Sequence, residues 1–209
     1  MKKIGTYTTP SGQKITIRLI EKTDTELLVE MFQRLSPESR RLRFHLYTAR
    51  IPEERMWQEA KALTDCDPQR QLAIVATTFE DDGQEHAVGV AHFARATHQA
   101  TDAEIAIVVR DDFQRKGLGK HLLRTLANIA RTRGVTHFTA WILAENIRLM
   151  KLVKGMELKD IESETRHGEQ KIRVPLAAQT PERQGCWLIF RQWLDSKLSF
   201  RKRKQELSG

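Results

Sequence analysis

The stretch Ala103–Gly119, AEIAIVVRDDFQRKGLG, constrains the fold of this chain more than any other segment. An apolar strand ends in charged residues, and a loop containing Gly117 and Gly119 then opens an amphipathic helix at Gly117–Thr132. Glycines at a helix start let several main-chain N–H groups converge on one point, and the helix dipole favours an anion there. Basic residues in the loop add positive charge. The segment therefore predicts a binding loop for a pyrophosphate group.

Two common nucleotide motifs do not match this loop. A GxGxxG dinucleotide fingerprint would require a third glycine at the position of Leu122. A P-loop would require Gly-Lys followed by Ser or Thr, whereas Gly119-Lys120 is followed by His121. The pattern that remains is Q-x-x-G-x-G after a strand.

Hydrophobic periodicity along the chain predicts a mixed α/β domain. Short apolar or alternating runs indicate strands, and apolar residues three or four positions apart indicate helices. Strands are predicted at 14–21, 71–79, 86–96, 102–110, 136–143, 158–164 and 171–176, and helices at 24–35, 37–44, 52–63, 117–132 and 146–154. The three consecutive strands in the middle favour an antiparallel meander over a doubly wound parallel sheet.

The Q-x-x-G-x-G loop, in its position between the fourth strand and a helix, resembles the acetyl-CoA loop of the GNAT acyltransferases. The resemblance covers about Lys14–Leu176. Within that superfamily, LSPESRRLRF at 35–44 and LTDCDPQRQLAIV at 63–75 are similar to the catalytic domain of Pat-type protein lysine acetyltransferases. The resemblance implies a central, mostly antiparallel sheet flanked by helices, with splayed fourth and fifth strands. It also implies direct acetyl transfer from acetyl-CoA, as co-substrate, to a protein lysine.

The resemblance assigns coenzyme-binding roles to several positions. Gly117 and Gly119 would allow close approach of the CoA phosphates, and Ile107 and Val109 would bind the pantetheine arm through main-chain groups. Asn146 would contact the CoA arm, although an asparagine at a helix start is equally explained as an N-cap. The main-chain amides around the phosphates would come from Gln114, Arg115, Lys116, Leu118 and Lys120.

Glu104 is the predicted general base, because it matches the glutamate of the fourth strand in the Pat-type pattern. On the strand it shares a face with Ala106 and Val108, so we expect small and apolar neighbours around it. Asp102 or a chain of water molecules is the alternative base. Many GNAT enzymes use a tyrosine as general acid, but Val153 occupies that position here, so the general acid is unassigned.

The chain carries a net charge of +8 and a pI of about 9.7, and half of the surplus lies in its C-terminal segment. We expect an acetyltransferase domain at 1–176 and, at 177–209, a linker followed by a basic amphipathic helix. That extra C-terminal helix could pack on the domain or on a second subunit, or bind nucleic acid or an anionic membrane. The two distant cysteines indicate a reducing compartment, so the expected location is cytoplasmic, and the scattered histidines predict no metal site.

Two other functions are compatible with the sequence. One is a GNAT enzyme that acetylates a small amine, although the arginine-rich second helix, with Arg34, Arg40, Arg41 and Arg43 in and beside it, argues against an acidic acceptor pocket. The other is a CoA-sensing or nucleic-acid-binding module on the same fold, suggested by the missing tyrosine and the basic tail. Glu104 argues against this second alternative.

Overall fold

The computed structural model describes residues 2–44, 51–143, 146, 149–151, 161–166 and 169–176. They belong to one structural unit, Met1–Leu176. The helix and linker predicted at 177–209 lie outside the described residues, as does most of the helix predicted at 146–154.

The described residues form eight strands and four α-helices. The strands are β1 (Lys3–Thr8), β2 (Lys14–Leu19), β3 (Gln71–Phe79), β4 (Glu85–Ala94), β5 (Asp102–Val109), β6 (His137–Leu143), β7 (Glu162–Arg166) and β8 (Glu169–Pro175). The helices are α1 (Thr25–Gln33), α2 (Pro37–Phe44), α3 (Glu53–Thr64) and α4 (Leu118–Thr132).

All eight strands join one sheet in the order β1-β2-β3-β4-β5-β6-β8-β7. Neighbouring strands are antiparallel except β5 and β6, which pair in parallel. A parallel pair needs a crossover connection, and α4 supplies it between β5 and β6. The predicted mixed α/β class and mostly antiparallel sheet are therefore confirmed.

The central strands are buried because helices cover both faces of the sheet. Val75, Val90 and Val108 contact a core formed with α1 and α3. The apolar side of α4 packs over the other face, where Gly89 allows close approach: a Cβ at this position would lie 3.1 Å from Leu122. This double coverage explains why β3 is a nearly continuous apolar run.

Arg18 of β2 is a buried charge within this unit, with 1% of its surface exposed. Its Nη1 and Nη2 donate to the two carboxylate oxygens of Asp24 at 2.7 and 2.9 Å, and its Nε lies 3.4 Å from Glu85. Because an isolated buried guanidinium is costly, this bidentate pair joins β2 to the segment that leads into α1.

Element boundaries agree with the sequence predictions to within a few residues, with one omission. β1 was not predicted, because KIGTYT lacks a clear apolar alternation and contains a glycine. It forms an edge hairpin with β2, closed by a turn in which Gly12 has a φ of 86°. β3 and β4 are likewise joined by a turn, in which Gly83 has a φ of 74°.

Replacing Asp24 with alanine should destabilise the protein strongly, because Arg18 would remain buried without its bidentate partner. We expect the free energy of unfolding to fall by about 3 kcal/mol, measured by urea denaturation.

The matched control is Asp65→Ala, which removes a carboxylate that pairs with Lys22 at 2.5 Å on the exposed surface. This variant should leave the urea midpoint almost unchanged, because solvent screens exposed ion pairs. Equal effects of the two substitutions would contradict the role assigned to the buried pair.

Candidate functional site

A cleft opens in the sheet where β5 and β6 separate. The two strands pair only at Asp102–Glu104 with His137–Thr139, and Glu104 opposite Thr139 is the last pair. Beyond it β5 continues to Val109, while β6 is held by β8 along its whole length. In the described part of the chain no strand pairs with that edge of β5 after Glu104. The main-chain groups on this edge of β5 are therefore available to a ligand. Because β1 was not predicted, β5 and β6 are the fourth and fifth strands of the sequence prediction, which were expected to splay apart.

The cleft forms part of a cavity of about 660 Å³. It lies between β5, β6, α2 and the loop before α4. The lining residues carry four positive charges, from Arg43, Arg115, Lys120 and Lys151, and among the described residues none is a carboxylate. The remaining lining residues are Ser39, Leu42, Ile105, Ala106, Ile107, Val108, Val109, Gln114, Gly117, Gly119, Ala140, Trp141, Ile142, Asn146, Leu149 and Ile172.

The loop before α4 has a backbone conformation suited to anion binding. Arg115 has a φ of 58° and Gly117 a φ of 84°, so two of three consecutive residues are left-handed. For an arginine this conformation costs about 1 kcal/mol or more and persists only where the surroundings enforce it. α4 starts at Leu118, and its first-turn N–H groups have no partner within the helix. Together with the helix dipole, this geometry suits a phosphate.

Asp111 connects this loop to the start of α2. Its Oδ2 accepts the Ser36 N–H at 2.8 Å, and its Oδ1 accepts the hydroxyls of Ser36 and Ser39 at 2.8 and 2.7 Å. Gln114 Nε2 donates to Ser39 Oγ and to the Val109 carbonyl, both at 3.0 Å. Burial acts to raise the pKa of Asp111, but these hydrogen bonds outweigh it and hold the pKa below its ordinary value.

The structure brings most of the predicted coenzyme-binding residues to this cavity. Those that line it are Ile107, Val109, Gln114, Arg115, Gly117, Gly119, Lys120 and Asn146. Two lie elsewhere: the Lys116 ammonium packs 5.1 Å over the Phe113 ring, and Leu118 is buried in the core. Their predicted contribution was a main-chain amide, which does not require the side chain to face the cavity.

Asn146 has the N-cap role, and its contact with the CoA arm stays a prediction. Its Oδ1 accepts the Leu149 N–H at 3.1 Å, which is an N-cap hydrogen bond, and the residue also lines the cavity. An N-cap therefore places this side chain beside the cleft. The position of Val153, where many GNAT enzymes have a tyrosine, lies outside the described residues.

Glu104 lies at the closed end of the cleft but does not line the cavity. The expected apolar environment is wrong, because Glu104 is exposed. Helices α1 and α3 cover this face of β5 at Val108 but do not reach Glu104. Asp102, the alternative base, is held by Arg173 at 2.8 and 3.2 Å, and these hydrogen bonds lower its pKa. The lowered pKa makes the Asp102 carboxylate a weaker proton acceptor than an ordinary aspartate.

The sequence did not predict where Arg43 and His92 lie relative to the site. Arg43 of α2 lines the cavity and pairs with Glu59 of α3. His92 of β4 is opposite Ala106, on the same face as Glu104. Burial lowers the pKa of His92 to about 4, and the Arg43 guanidinium acts in the same direction. His92 is therefore neutral at pH 7, and only the tertiary fold reveals its position next to Glu104.

The described residues contain neither a cluster of metal ligands nor a helix that could span a membrane. Within these ranges, no group of three or more His, Cys, Asp or Glu side chains is placed to hold a metal ion. No helix in the described part of the chain has the length and apolarity needed to cross a membrane.

Comparison with known proteins identifies the family to which the chain is similar. Residues 30–156 match the acetyltransferase (GNAT) family. The chain is 32% identical over 123 residues to acetyltransferase PA5475 of Pseudomonas aeruginosa, which covers 59% of this chain and 63% of the relative. It is 34% identical over 93 residues to acetyltransferase Pat of Mycolicibacterium smegmatis, which covers 39% of this chain and 28% of the relative. The matched stretches thus span less than two thirds of these relatives.

Solved structures show the same fold. The GNAT domain of S. lividans PAT superposes with a TM-score of 0.68 at 23% identity, over 82% of this chain and 96% of that domain. The Pat-type resemblance found in the sequence is therefore confirmed by a relative and by a structure.

Replacing Asp111 with asparagine should lower the free energy of unfolding by about 1 kcal/mol at pH 7, because an amide cannot accept all three hydrogen bonds from Ser36 and Ser39. A carboxylate with a lowered native pKa contributes stability above its unfolded pKa of about 3.9, and this contribution disappears as the pH falls through the native value. Urea denaturation of both proteins between pH 7 and pH 3 should show a constant gap in the free energy of unfolding above pH 5 that narrows as the pH falls below about 4. A gap that stays constant down to pH 3 would contradict the ionised role of Asp111.

Proposed function

The chain belongs to the acetyltransferase (GNAT) family, and on this premise we propose that it transfers the acetyl group of acetyl-CoA to a lysine side chain of a protein. The observation that carries the proposal is the cavity that opens where β5 and β6 separate. It is lined by the edge of β5 that no described strand pairs with and by the glycine loop at the start of α4. An extended thioester arm fits the strand edge, and its diphosphate fits the loop.

The lining charges support a polyanionic coenzyme. Arg115 and Lys120 lie in or beside the loop, and the main-chain N–H groups of Gly117 and Gly119 are close to them. Ile107 and Val109 lie on the strand whose free edge would hydrogen-bond the amides of the pantetheine arm. The absence of carboxylates among the described lining residues favours phosphate, because a like charge would oppose it.

Glu104 is the general base in this proposal. A lysine ammonium has a pKa of about 10.4, so its deprotonation at pH 7 costs roughly 4–5 kcal/mol. Glu104 belongs to the last β5–β6 pair, directly before the cavity residues Ile105 and Ala106, and solvent exposure makes it accessible to an incoming side chain. It takes one proton from the ammonium, the amine nitrogen attacks the thioester carbon, and the carbon–sulfur bond breaks so that CoA leaves as a thiolate. The second proton, which the nitrogen loses as the amide forms, passes to the thiolate or to water. Proximity makes this direct transfer possible without a covalent enzyme intermediate.

A protein acceptor is favoured over a small amine. The Pat-type resemblance implies a protein lysine, and the cavity supplies no carboxylate among its described residues to bind a free polyamine. The basic helix α2, with Arg40, Arg41 and Arg43, borders the same cavity. An acidic segment around the target lysine would complement it.

Glu104→Gln tests the proposal directly. This variant should fold and bind CoA like the wild type, but turnover should fall by about 10²- to 10⁴-fold because the general base is lost. The measurement is CoA release from acetyl-CoA with a lysine-bearing protein and, in parallel, with small amines.

The matched control is Glu162→Gln, an exposed strand glutamate on β7, which should retain full turnover. Wild-type turnover in Glu104→Gln would remove Glu104 as the base. CoA binding without turnover on any amine in the wild type would favour a coenzyme-sensing role, and preference for small amines would overturn the protein acceptor.

We also propose that residues 1–176 form the catalytic domain and that the basic segment 177–209 serves another purpose in a cytoplasmic enzyme. Deletion of residues 187–209 should leave acetyl transfer to a small protein substrate within about two-fold, because every cavity residue named above precedes position 177. Three measurements should be compared between the full chain and the deletion: sedimentation, binding to anionic liposomes and binding to DNA. A change in sedimentation would indicate contact with a second subunit, and a loss of liposome or DNA binding would indicate a membrane or nucleic-acid partner. Loss of acetyl transfer on deletion would contradict the proposed domain division.

A further inference from the structure

Tyr7 of β1 contacts the loop before α4 from 109 residues away in sequence. Its hydroxyl donates a hydrogen bond to the main-chain carbonyl of Lys116. Its ring packs against the His121 ring in the first turn of α4, with centroids 4.9 Å apart and planes inclined by 35°. One side chain from the edge hairpin therefore contacts both the loop and the helix that the loop opens.

The hydrogen bond from Tyr7 fixes the orientation of one peptide group. The carbonyl of Lys116 and the N–H of Gly117 belong to the same planar trans peptide, so they point in opposite directions. With the carbonyl held by Tyr7, the Gly117 N–H is directed away from Tyr7. Gly117 lines the cavity, and this amide is one of those expected to hold the coenzyme phosphates.

The loop needs such support because its backbone is strained. Arg115 is the one non-glycine residue with a positive φ in the described part of the chain. The Gln114 side chain holds the loop on one side through Ser39 and Val109. Tyr7 holds it on the other side, at the carbonyl between Arg115 and Gly117.

Tyr7 also determines what residue fits at position 117. A Cβ on Gly117 would lie 2.4 Å from the Tyr7 hydroxyl oxygen, well inside contact distance, and 3.5 Å from the ring carbon Cζ. The glycine is therefore required by its φ of 84° and, independently, by the Tyr7 hydroxyl.

We propose that Tyr7 is a positioning residue for the coenzyme loop: it presets the Lys116–Gly117 peptide so that the loop receives the acetyl-CoA diphosphate without rearranging. This inference rests on the proposed binding of acetyl-CoA at the loop. Tyr7 acts on affinity rather than on the chemical step, because its hydroxyl is engaged by the main chain and Tyr7 does not line the cavity.

Tyr7→Phe removes the hydroxyl and keeps the ring. In the full chain, we expect the Kd for CoA from titration calorimetry and the KM for acetyl-CoA to rise about five-fold, with kcat within two-fold of the wild type. The matched control is Thr78→Val, which removes another hydroxyl-to-carbonyl hydrogen bond in the same sheet, from Thr78 Oγ1 to the Lys14 carbonyl at 3.0 Å. The control should bind CoA like the wild type.

A double-mutant cycle with Gly117→Ala tests the contact between the Tyr7 hydroxyl and position 117. Gly117→Ala alone should weaken CoA binding, because the added Cβ meets the Tyr7 hydroxyl and strains the backbone. In Tyr7→Phe/Gly117→Ala the hydroxyl is gone and the nearest ring atom lies at contact distance, so the double variant should bind no more weakly than Gly117→Ala alone. A Kd change equal to the product of the two single changes would contradict the contact on which the role of Tyr7 depends.

The outcomes distinguish this inference from the function on which it rests. Unchanged Kd and KM in Tyr7→Phe, an equal loss of affinity in Thr78→Val, or multiplicative changes in the cycle would each overturn the role of Tyr7 and leave the acetyltransferase proposal intact. A wild-type chain that fails to bind CoA would overturn both.

Discussion

The short parallel contact between β5 and β6 is the constraint on which the site depends. Three residue pairs join the strands at Asp102–Glu104. Arg173 of β8 reaches across β6 and donates a hydrogen bond to Asp102. Beyond Glu104, β5 stays paired with β4 and β6 stays paired with β8, while β5 and β6 separate from each other. The sheet therefore splits at a defined residue. The last joined pair carries the predicted base, and the first separated residues line the cavity.

The coenzyme loop is held by contacts from elements that are distant in sequence. Asp111 joins it to the start of α2 through Ser36 and Ser39, and Tyr7 reaches it from β1. Most of the ligand contacts proposed here are main-chain amides, whose direction depends on the backbone rather than on a side-chain rotamer. Such a site is shaped mainly by the residues that orient the peptide groups, so side chains that never touch the ligand decide its geometry.

The sequence predicted secondary structure correctly in the segments where the local residue pattern and the tertiary contacts favour the same structure. The strand–loop–helix at Ala103–Thr132 was predicted closely. Its apolar periodicity indicates the strand and the helix, and its glycines indicate the loop between them. β1 was not predicted, because an edge strand with one polar face has no distinctive periodicity. Glu104 was expected among apolar neighbours, because strand alternation defines a face but not how far the covering helices extend. The contacts of Tyr7 arise because β1 packs against α4 and the loop before it, and the position of His92 arises from the pairing of β4 with β5. Neither can be deduced from spacing along the chain.

The edge position of the β1–β2 hairpin has a consequence for how the protein responds to heat. β1 is paired on one side only, and such edge strands open at a lower free energy than the centre of a sheet. Each opening separates Tyr7 from the Lys116 carbonyl while the rest of the sheet remains folded. Coenzyme affinity should then decline on warming before cooperative melting begins, and amide hydrogen exchange in β1 should track that decline.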